Sequence, residues 1–305
     1  MTRRALASAL FVATAVLACG KRDGTPKPPA PATTLATSTA APKHLELENA
    51  DIVVPEGASA AKPVPFILLL HGLGHSGPGL AEQFRFAELS RSLGFAYAAP
   101  SGAFDASGRR FWNAWTACCD FDPKKPDHVS ALRALLDEAA KNPALDPKRR
   151  HVLGFSNGGF MAHRLACEVP GLAAIASIAG SGPAPGETCR PSGPVAVLQV
   201  HGDADQVIAY GGGHTLGDPS LPVHPSAPDV MKAWAERNGC GRLLGTPPTL
   251  DLEPDLPGEE TRVLRYPGCR RSTELWRVEG GGHVVAVKPG AVERVIEFLE
   301  QQRAE

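Results

Sequence analysis

A serine set between glycines is the feature of the chain that points most directly to chemistry. Gly154-Phe155-Ser156-Asn157-Gly158 follows a short apolar run and precedes a stretch with helical spacing. This pattern suits a sharp strand-to-helix turn, which holds the serine hydroxyl clear of a sheet. A serine hydroxyl is a poor nucleophile until a base takes its proton. The motif therefore predicts Ser156 as a nucleophile and requires a histidine and an acid elsewhere in the chain.

Two candidate acids lie in the segment His201-Gly202-Asp203-Ala204-Asp205, just after an apolar run. We predict Asp205 as the acid that orients the base, because enzymes with such a nucleophile motif usually place the acid four residues after a histidine. Asp203 is the alternative acid. If it is not the acid, it stabilises the turn as a hydrogen-bond acceptor, which is a common role for aspartate. His201 is interpreted as a structural hydrogen-bonding residue.

Three glycines lead into His283, in the sequence Glu279-Gly280-Gly281-Gly282-His283. A loop of this composition can bring an imidazole over the ends of neighbouring strands. His214 and His224 are the alternatives, but they lie in a Gly/Pro-rich segment with no preceding strand. We predict His283 as the base, which places the three residues in the chain order Ser, Asp, His that α/β-hydrolases use.

A stabilising site for an oxyanion is predicted near the first strong apolar run. His71-Gly72-Leu73-Gly74 follows that run, and its glycines allow the backbone to approach a substrate closely. Acyl transfer needs two backbone N–H donors aimed at the developing negative charge. We predict the N–H groups of Leu73 and Asn157 for this role; the alternative is that the His-Gly pair only makes a turn.

Apolar patterning predicts the elements that must position these residues. Continuous apolar runs are typical of buried parallel strands, and helical spacing separates them. The predicted strands span 66–70, 95–99, 151–155, 173–178, 195–200, 261–266 and 274–278; the predicted helices span 80–93, 129–140, 157–168, 227–237 and 291–302. Such alternation predicts an α/β fold with a doubly wound, mostly parallel sheet and helices on both faces.

Composition narrows the class of protein. The chain has 305 residues, of which 43% are hydrophobic, and a formal net charge of −1. This is enough apolar material for a large core, and the near balance of charge offers no basic stripe for nucleic acid. We therefore expect no nucleic-acid partner.

The first residues resemble an export signal. Arg3 and Arg4 precede an apolar run that is short for a membrane span, and the run ends in Ala18-Cys19, as in the lipobox of bacterial lipoproteins. We predict a lipoprotein-type signal peptide at 1–19, with Cys19 as the lipidated residue, and a disordered Pro/Ala/Thr-rich tether at 20–43. The alternative is an ordinary secretory signal. Residues 44–305 would then form an exported domain, periplasmic, at the cell surface or secreted, whose only membrane contact is the lipid at Cys19.

Six further cysteines fit an oxidising compartment. They allow fifteen connectivities, so the sequence leaves the pairing open. The sequential neighbours Cys167–Cys189 and Cys240–Cys269 are the candidate pairs, and the adjacent Cys118 and Cys119 either pair with each other or stay reduced. A zinc site is the alternative, but two C-x-x-C pairs are absent from the sequence, so we expect no metal.

These motifs, taken together over about residues 45–300, resemble the polyhydroxybutyrate depolymerase-like and feruloyl esterase-like enzymes of the α/β-hydrolase superfamily. The shared segments are His71-Gly72, Phe111-Trp112-Asn113-Ala114, Ala117-Cys118-Cys119, 154–161, Arg164-Leu165-Ala166-Cys167, 201–205 with Tyr210, 234–240, 266–269 and 280–283. The resemblance implies the same triad of Ser156, Asp205 and His283, and it implies that the cysteines form a disulfide framework.

The chain departs from that family directly after the base. The family usually has Thr-Trp there, whereas this chain has Val284-Val285. Trp112 and Trp115 are then the candidate aromatic walls for an aromatic or sugar-linked ester; the alternative is that both pack in the core.

The sequence thus predicts hydrolysis of a small-molecule or polymeric carboxylic ester through an acyl-enzyme, with no metal or organic cofactor. Two other functions use the same residues or the same fold. One is a non-catalytic, tethered binding protein on a hydrolase fold, since fold alone does not establish chemistry. The other is an acyltransferase that uses the same triad.

Overall fold

An eight-stranded sheet organises the residues that the computed structural model describes, which are 45–119, 124–243 and 247–305. The predicted signal peptide 1–19, Cys19 and the predicted tether 20–43 lie outside these residues. The described residues all fall within the compact unit Lys43–Glu305.

Twelve strands and six α-helices are assigned within the described residues. The strands are β1 (Val64–Leu70), β2 (Ala96–Ala98), β3 (Ala103–Phe104), β4 (Arg110–Phe111), β5 (Leu145–Phe155), β6 (Ala174–Ile178), β7 (Ala196–Gly202), β8 (Gly213–His214), β9 (Val223–His224), β10 (Thr249–Leu250), β11 (Thr261–Arg265) and β12 (Thr273–Val278). The helices are α1 (Gly77–Gln83), α2 (Phe86–Leu93), α3 (His128–Lys141), α4 (Asn157–Glu168), α5 (Ala227–Arg237) and α6 (Pro289–Glu300).

The main sheet has the strand order β10-β11-β12-β7-β6-β5-β1-β2. The pairs from β2 across to β12 are all parallel, whereas the two pairs at one edge, β12–β11 and β11–β10, are antiparallel, so that β11 is the strand that runs in the opposite direction. The predicted α/β class and its doubly wound, mostly parallel sheet are therefore confirmed. The carboxyl ends of β5, β7 and β12 lie along one edge of the sheet, where such folds bind their ligands.

Strand β1 shows how the sequence fills both faces of the sheet. Phe66, Leu68 and Leu70 pack into one apolar cluster, whereas Ile67 and Leu69 pack into the other, and all five are fully buried. This follows from the two-residue period of a strand, which sends successive side chains to opposite faces. Helices α3, α4 and α5 cover the first face, and α1, α2 and α6 cover the second, so that the predicted helical layers are both present.

The single helix predicted at 80–93 is wrong, because the structure has two helices there. The break falls at Arg85, whose φ of 51° is left-handed. Phe84 and Phe86 on either side of it are both fully buried in the same cluster. Residues two apart do not share a face of one continuous helix, so burying both rings requires the interruption.

Short paired strands were missed by the sequence pattern. β3 pairs with β4, β8 pairs with β9, and β10 joins the edge of the main sheet. Each is only two residues long, which is too short for any alternation to be read from the sequence. The β8–β9 hairpin matters for the site because it follows the loop that carries Asp205.

Six cysteines pair as three disulfides. Cys167 joins Cys189 and Cys240 joins Cys269, with Cα–Cα distances of 5.0 and 4.0 Å, and Cys118 joins its neighbour Cys119. The first bond ties α4 to the loop before β7, and the second ties the end of α5 to the loop before β12. Within the described ranges, no helix combines the length and apolar character needed to cross a bilayer.

Candidate active site

The nucleophile turn is built by close backbone approach. Ser156 stands between β5 and α4 with φ 53° and ψ −117°, a conformation that L-residues rarely adopt. A methyl group at Gly154 would overlap the carbonyl of Gly158, and one at Gly158 would overlap the carbonyl of Leu70. The strained turn therefore requires glycine at both positions, and the structure has the strand–serine–helix arrangement that the motif predicted.

The loops that carry the acid and the base pack directly on one another. Strands β7 and β12 are parallel neighbours whose last residues, Gly202 and Val278, are in register. Beyond them, the N–H of Asp203 donates to the Val278 carbonyl at 3.0 Å, and the N–H of Ala204 donates to the Gly281 carbonyl at 2.9 Å. A side chain at Gly202 would collide with the carbonyls of Gly281 and Gly282, so the two loops form one packed unit.

Ser156, His283 and Asp205 form one continuous hydrogen-bonded chain. The Ser156 Oγ lies 3.0 Å from His283 Nε2, and His283 Nδ1 lies 2.8 Å from Asp205 Oδ2. A carboxylate only accepts hydrogen bonds, so the Nδ1–H of His283 donates to it and leaves the Nε2 lone pair facing the serine. The Asp205 side chain is fully buried, whereas the imidazole is 16% exposed. This arrangement can remove the serine proton.

Asp205 is held as an anion. Burial alone would raise its pKa, but hydrogen bonds from His201 and His283 outweigh burial and keep the pKa well below the ordinary range. Its other oxygen, Oδ1, accepts from the N–H groups of Val207 at 2.7 Å and Ile208 at 2.9 Å. Both carboxylate oxygens are therefore occupied, and the side chain has one orientation.

The alternative acid and bases lie elsewhere in hydrogen-bonded roles. Asp203 accepts from Arg277 Nη2 at 2.7 Å and from the N–H of Gly280 at 2.8 Å, so it holds the glycine loop that leads to the base. His214 and His224 lie in the β8–β9 hairpin, and each ring contacts a local carbonyl. The structure brings only His283 of these histidines to Ser156.

Leu73 and Asn157 carry the predicted oxyanion donors. Leu73 lies in the loop after β1, and Asn157 is the first residue of α4, where backbone N–H groups have no partner within the helix. Neither N–H has a hydrogen-bond acceptor among the described residues. The Asn157 side chain accepts from the N–H of Trp112 at 2.6 Å and donates to its carbonyl at 2.9 Å, which fixes the start of the helix.

The structure corrects the prediction that Trp112 and Trp115 form aromatic walls of the substrate site. Trp112 is fully buried and donates its indole N–H to the His71 carbonyl at 3.0 Å. Trp115 is only 5% exposed and packs against Cys118 and Cys119 in the same cluster. Both side chains belong to the core beneath the loops, because their large apolar area is worth more inside than facing solvent. Trp112 therefore cannot contact a substrate, and the alternative interpretation of core packing applies.

Aliphatic side chains are what the site exposes. Leu73, in the oxyanion loop, is 36% exposed, and Val284, next to the base, is 60% exposed. Phe155 is partly buried and places its ring 5.5 Å from the imidazole of His283. Sequence analysis named Leu73 as a backbone donor and Val284 as a departure from the family, but it assigned no substrate contact to either side chain and did not name Phe155 as a site residue. In the described ranges, no group of three His, Cys, Asp or Glu side chains is placed to hold a metal ion.

The strained serine turn, the mostly parallel sheet and the contacts among Ser156, His283 and Asp205 define the architecture of an α/β-hydrolase. The sequence profile of the phospholipase/carboxylesterase family matches residues 47–218. The chain belongs to this family.

Proteins of similar sequence support the same class of enzyme, the carboxylic ester hydrolases. The chain is 31% identical over 266 residues to the putative esterase NocK of Nocardia uniformis subsp. tsuyamanensis, covering 79% of this chain and 75% of that protein. It is 27% identical to feruloyl esterase B of Piromyces equi, covering 75% of this chain but only 41% of the relative. It is 24% identical to poly(3-hydroxyalkanoate) depolymerase C of Paucimonas lemoignei, covering 58% of that protein. The resemblance inferred from the motifs, and ester hydrolysis as the enzyme class, are thereby confirmed.

Solved structures agree on the fold. The acetyl xylan esterase of Aspergillus awamori aligns with a TM-score of 0.57 at 17% identity, covering 81% of this chain and 92% of that one. The carboxylesterase of Bacillus cereus aligns with a TM-score of 0.53 at 17% identity, covering 82% and 93%. At this identity the likeness concerns architecture and not substrate.

Proposed function

We propose that Ser156, His283 and Asp205 carry out ester hydrolysis through an acyl-enzyme. The observation that carries the proposal is the unbroken chain of contacts from the Ser156 hydroxyl to the Asp205 carboxylate. His283 Nε2 takes the hydroxyl proton as Oγ attacks the ester carbonyl carbon. The negative charge that forms on the carbonyl oxygen is stabilised by the N–H groups of Leu73 and Asn157.

The same groups complete acylation and then carry out deacylation. His283 gives its proton to the departing alcohol oxygen as the tetrahedral intermediate collapses, which leaves the acyl group on Ser156. A water molecule then loses a proton to Nε2 and attacks the acyl carbonyl; as the second tetrahedral intermediate collapses, His283 returns that proton to Oγ, which releases the acid and restores the Ser156 hydroxyl. Asp205 stays ionised throughout and stabilises the imidazolium, which agrees with its lowered pKa.

The test is the rate of p-nitrophenyl butyrate hydrolysis by the full chain and by Ser156→Ala. We expect kcat to fall by about 10³-fold or more, because nucleophile and base act as one unit. A Ser156→Ala protein that folds and keeps the parent rate would contradict the proposal. Wild-type protein that binds but never turns over esters would favour a binding protein, and transfer to added methanol that outruns hydrolysis would favour an acyltransferase.

We also propose that aliphatic esters are preferred over aromatic ones. Leu73 and Val284 are the exposed apolar side chains next to the oxyanion donor and the base, while Trp112 and Trp115 are buried. The pair Val284-Val285 also stands where the family resemblance leads one to expect a threonine and then a tryptophan. We expect higher kcat/KM for methyl butyrate and for oligomers of 3-hydroxybutyrate than for methyl ferulate, where the two methyl esters share one leaving group. A clear preference for methyl ferulate would contradict this.

For localisation, we propose export with a lipid anchor at Cys19. The support is the sequence alone: the basic start, the short apolar run and Ala18-Cys19. Metabolic labelling with palmitate should mark the wild-type chain and fail to mark Cys19→Ala. Equal labelling of both proteins would refute the anchor.

A further inference from the structure

Four buried polar side chains connect helix α5 to the loop of Asp205. Trp234 Nε1 lies 3.0 Å from His163 Nδ1, and His163 Nε2 lies 3.0 Å from Gln199 Oε1. Gln199 Nε2 in turn lies 3.0 Å from His201 Nδ1. All four side chains are at most 2% exposed. None has a part in the acyl-transfer steps above, so their presence in an otherwise apolar layer calls for another role.

The direction of every hydrogen bond in this chain follows from one donor. An indole N–H can only donate, so His163 Nδ1 accepts from Trp234 and the ring proton sits on Nε2. His163 then donates to Gln199 Oε1, which turns the amide NH₂ of Gln199 towards His201 Nδ1. His201 Nδ1 therefore accepts, and its ring proton sits on Nε2.

Two backbone carbonyls impose the same directions independently. The carbonyl of Gly180 lies 2.9 Å from Gln199 Nε2, and a carbonyl can face only the NH₂ side of an amide. The carbonyl of Ile208 lies 2.7 Å from His201 Nε2, which requires the proton to be on that nitrogen. Burial lowers the pKa of His163 to about 4, so this ring stays neutral near pH 7. All the partners thus agree on one tautomer at each histidine.

The chain ends on the acid of the triad in two ways. The Nε2–H of His201 holds the Ile208 carbonyl, and the N–H of Ile208 donates to Asp205 Oδ1. The His201 Nε2 atom also lies 3.3 Å from Asp205 Oδ2, the oxygen that accepts from His283. His201 therefore reaches both carboxylate oxygens, one through the turn and one directly.

We propose that His201 is a positioning residue for the reaction, and that Trp234, His163 and Gln199 set its tautomer so that it orients Asp205 towards His283. This inference rests on the proposed triad. It gives the histidine of the His201-Gly202-Asp203-Ala204-Asp205 segment a role in catalysis that acts through Asp205. It also makes an indole on α5 a determinant of turnover, although Trp234 is three hydrogen-bonded side chains away from Asp205.

The first test compares two tryptophans that each donate a buried hydrogen bond. Trp234→Phe removes the donor that fixes His163, whereas Trp276→Phe removes a bond of 2.9 Å to Glu274, whose other carboxylate oxygen accepts from Arg265. We expect Trp234→Phe to lower kcat for p-nitrophenyl butyrate by about three- to tenfold with KM unchanged, the effect of one lost hydrogen bond. Trp276→Phe should keep the parent kcat. Equal kcat in the two folded variants would overturn the proposal.

The second test replaces the positioning residue itself. His201→Phe keeps a flat ring without a donor and should lower kcat by about ten- to a hundredfold, because the lost bonds support a charged group. His201→Gln retains an N–H that can reach Ile208 and Asp205, and it should recover most of that loss. If His201→Gln is as slow as His201→Phe while both keep the parent melting temperature, the donor role is refuted.

A spectroscopic measurement on the wild-type protein applies even if these variants fold poorly. Spectra of ¹⁵N-labelled histidine distinguish the two neutral tautomers, and we expect Nε2–H for both His163 and His201. Nδ1–H at either ring would overturn the inference. Ser156→Ala separates the two levels of argument: if it stays fully active, the triad itself is wrong. If Ser156→Ala is inactive but Trp234→Phe matches Trp276→Phe, only the positioning role fails.

Discussion

Replacing Asp205 by asparagine tests the acid–base pair through the direction of a single hydrogen bond. Oδ1 of Asp205 accepts from the N–H groups of Val207 and Ile208, so an asparagine would keep its oxygen there. Its NH₂ would then take the place of Oδ2, which lies 2.8 Å from His283 Nδ1. Two donors cannot face each other, so His283 must move its proton from Nδ1 to Nε2. That proton would point at Ser156, and the ring could no longer accept the serine proton.

The size of the effect follows from this loss of the base. In serine proteases the same wrong-tautomer substitution lowers kcat by about 10⁴-fold, or roughly 5 kcal/mol of transition-state stabilisation. We expect a similar loss for Asp205→Asn with p-nitrophenyl butyrate. KM should change little, because the Asp205 side chain is fully buried and does not face the substrate. Circular dichroism and thermal melting would establish that the variant is folded.

Asp203→Asn is the matched control, two residues away in the same loop. Asp203 is partly exposed and pairs with Arg277, an ion pair worth about 0–1 kcal/mol at such a site. It also supports Gly280, so we expect a loss of less than about tenfold in kcat. A folded Asp205→Asn protein within tenfold of the wild-type kcat would refute the reasoning. So would a larger loss in Asp203→Asn than in Asp205→Asn.

The remaining predictions concern stability and use the buried histidines. His151 is fully buried, and neither ring nitrogen has a partner among the described residues, so His151→Leu should raise the free energy of unfolding in urea by about 1–2 kcal/mol. His163→Leu should lower it, since that ring is bonded at both nitrogens; a fall of equal size in both variants would contradict this. Burial lowers the pKa of His71, His128 and His163 to about 4 and that of His151 to about 3. The unfolded chain, with histidine pKa values near 6.5, therefore binds more protons between pH 6.5 and 4. Each ring should lower the free energy of unfolding by up to about 1.4 kcal/mol for every pH unit by which the pH falls through this range. A free energy of unfolding, measured in urea, that stays constant from pH 6.5 to 4.5 would refute this prediction.

Much of the fold could be predicted because strands and glycine turns leave local signals. The run Phe66–Leu70 became β1, and the glycines at 154 and 158 mark a turn that no larger residue could make. The chain order of Ser156, Asp205 and His283 predicted which side chains the sheet edge brings together. These features depend on neighbouring residues and on the rule that parallel strands end at one edge.

What could not be predicted depends on packing between distant segments. The break at Arg85 exists because Phe84 and Phe86 enter the same cluster, and helical spacing alone cannot show that. The burial of Trp112 depends on the His71 carbonyl and the Asn157 side chain, which are 41 residues before it and 45 residues after it. His163 and Gln199 looked like ordinary polar residues of a helix and a strand, because their partners are visible only once α4 and β7 are packed together.

The triad is assembled from two parts with different constraints. Asp205 and His283 sit on loops whose backbones bond to each other and whose close packing leaves no room for a side chain at Gly202. Ser156 is placed separately, by the strained turn between β5 and α4. The Asp205–His283 distance is therefore set by backbone contacts and by the donors around the carboxylate. The Ser156–His283 distance depends instead on how the sheet holds β5 relative to β7, with only β6 between them. Substitutions in the core beneath β6 should thus alter proton transfer from Ser156 to His283 more than they alter the contact between Asp205 and His283.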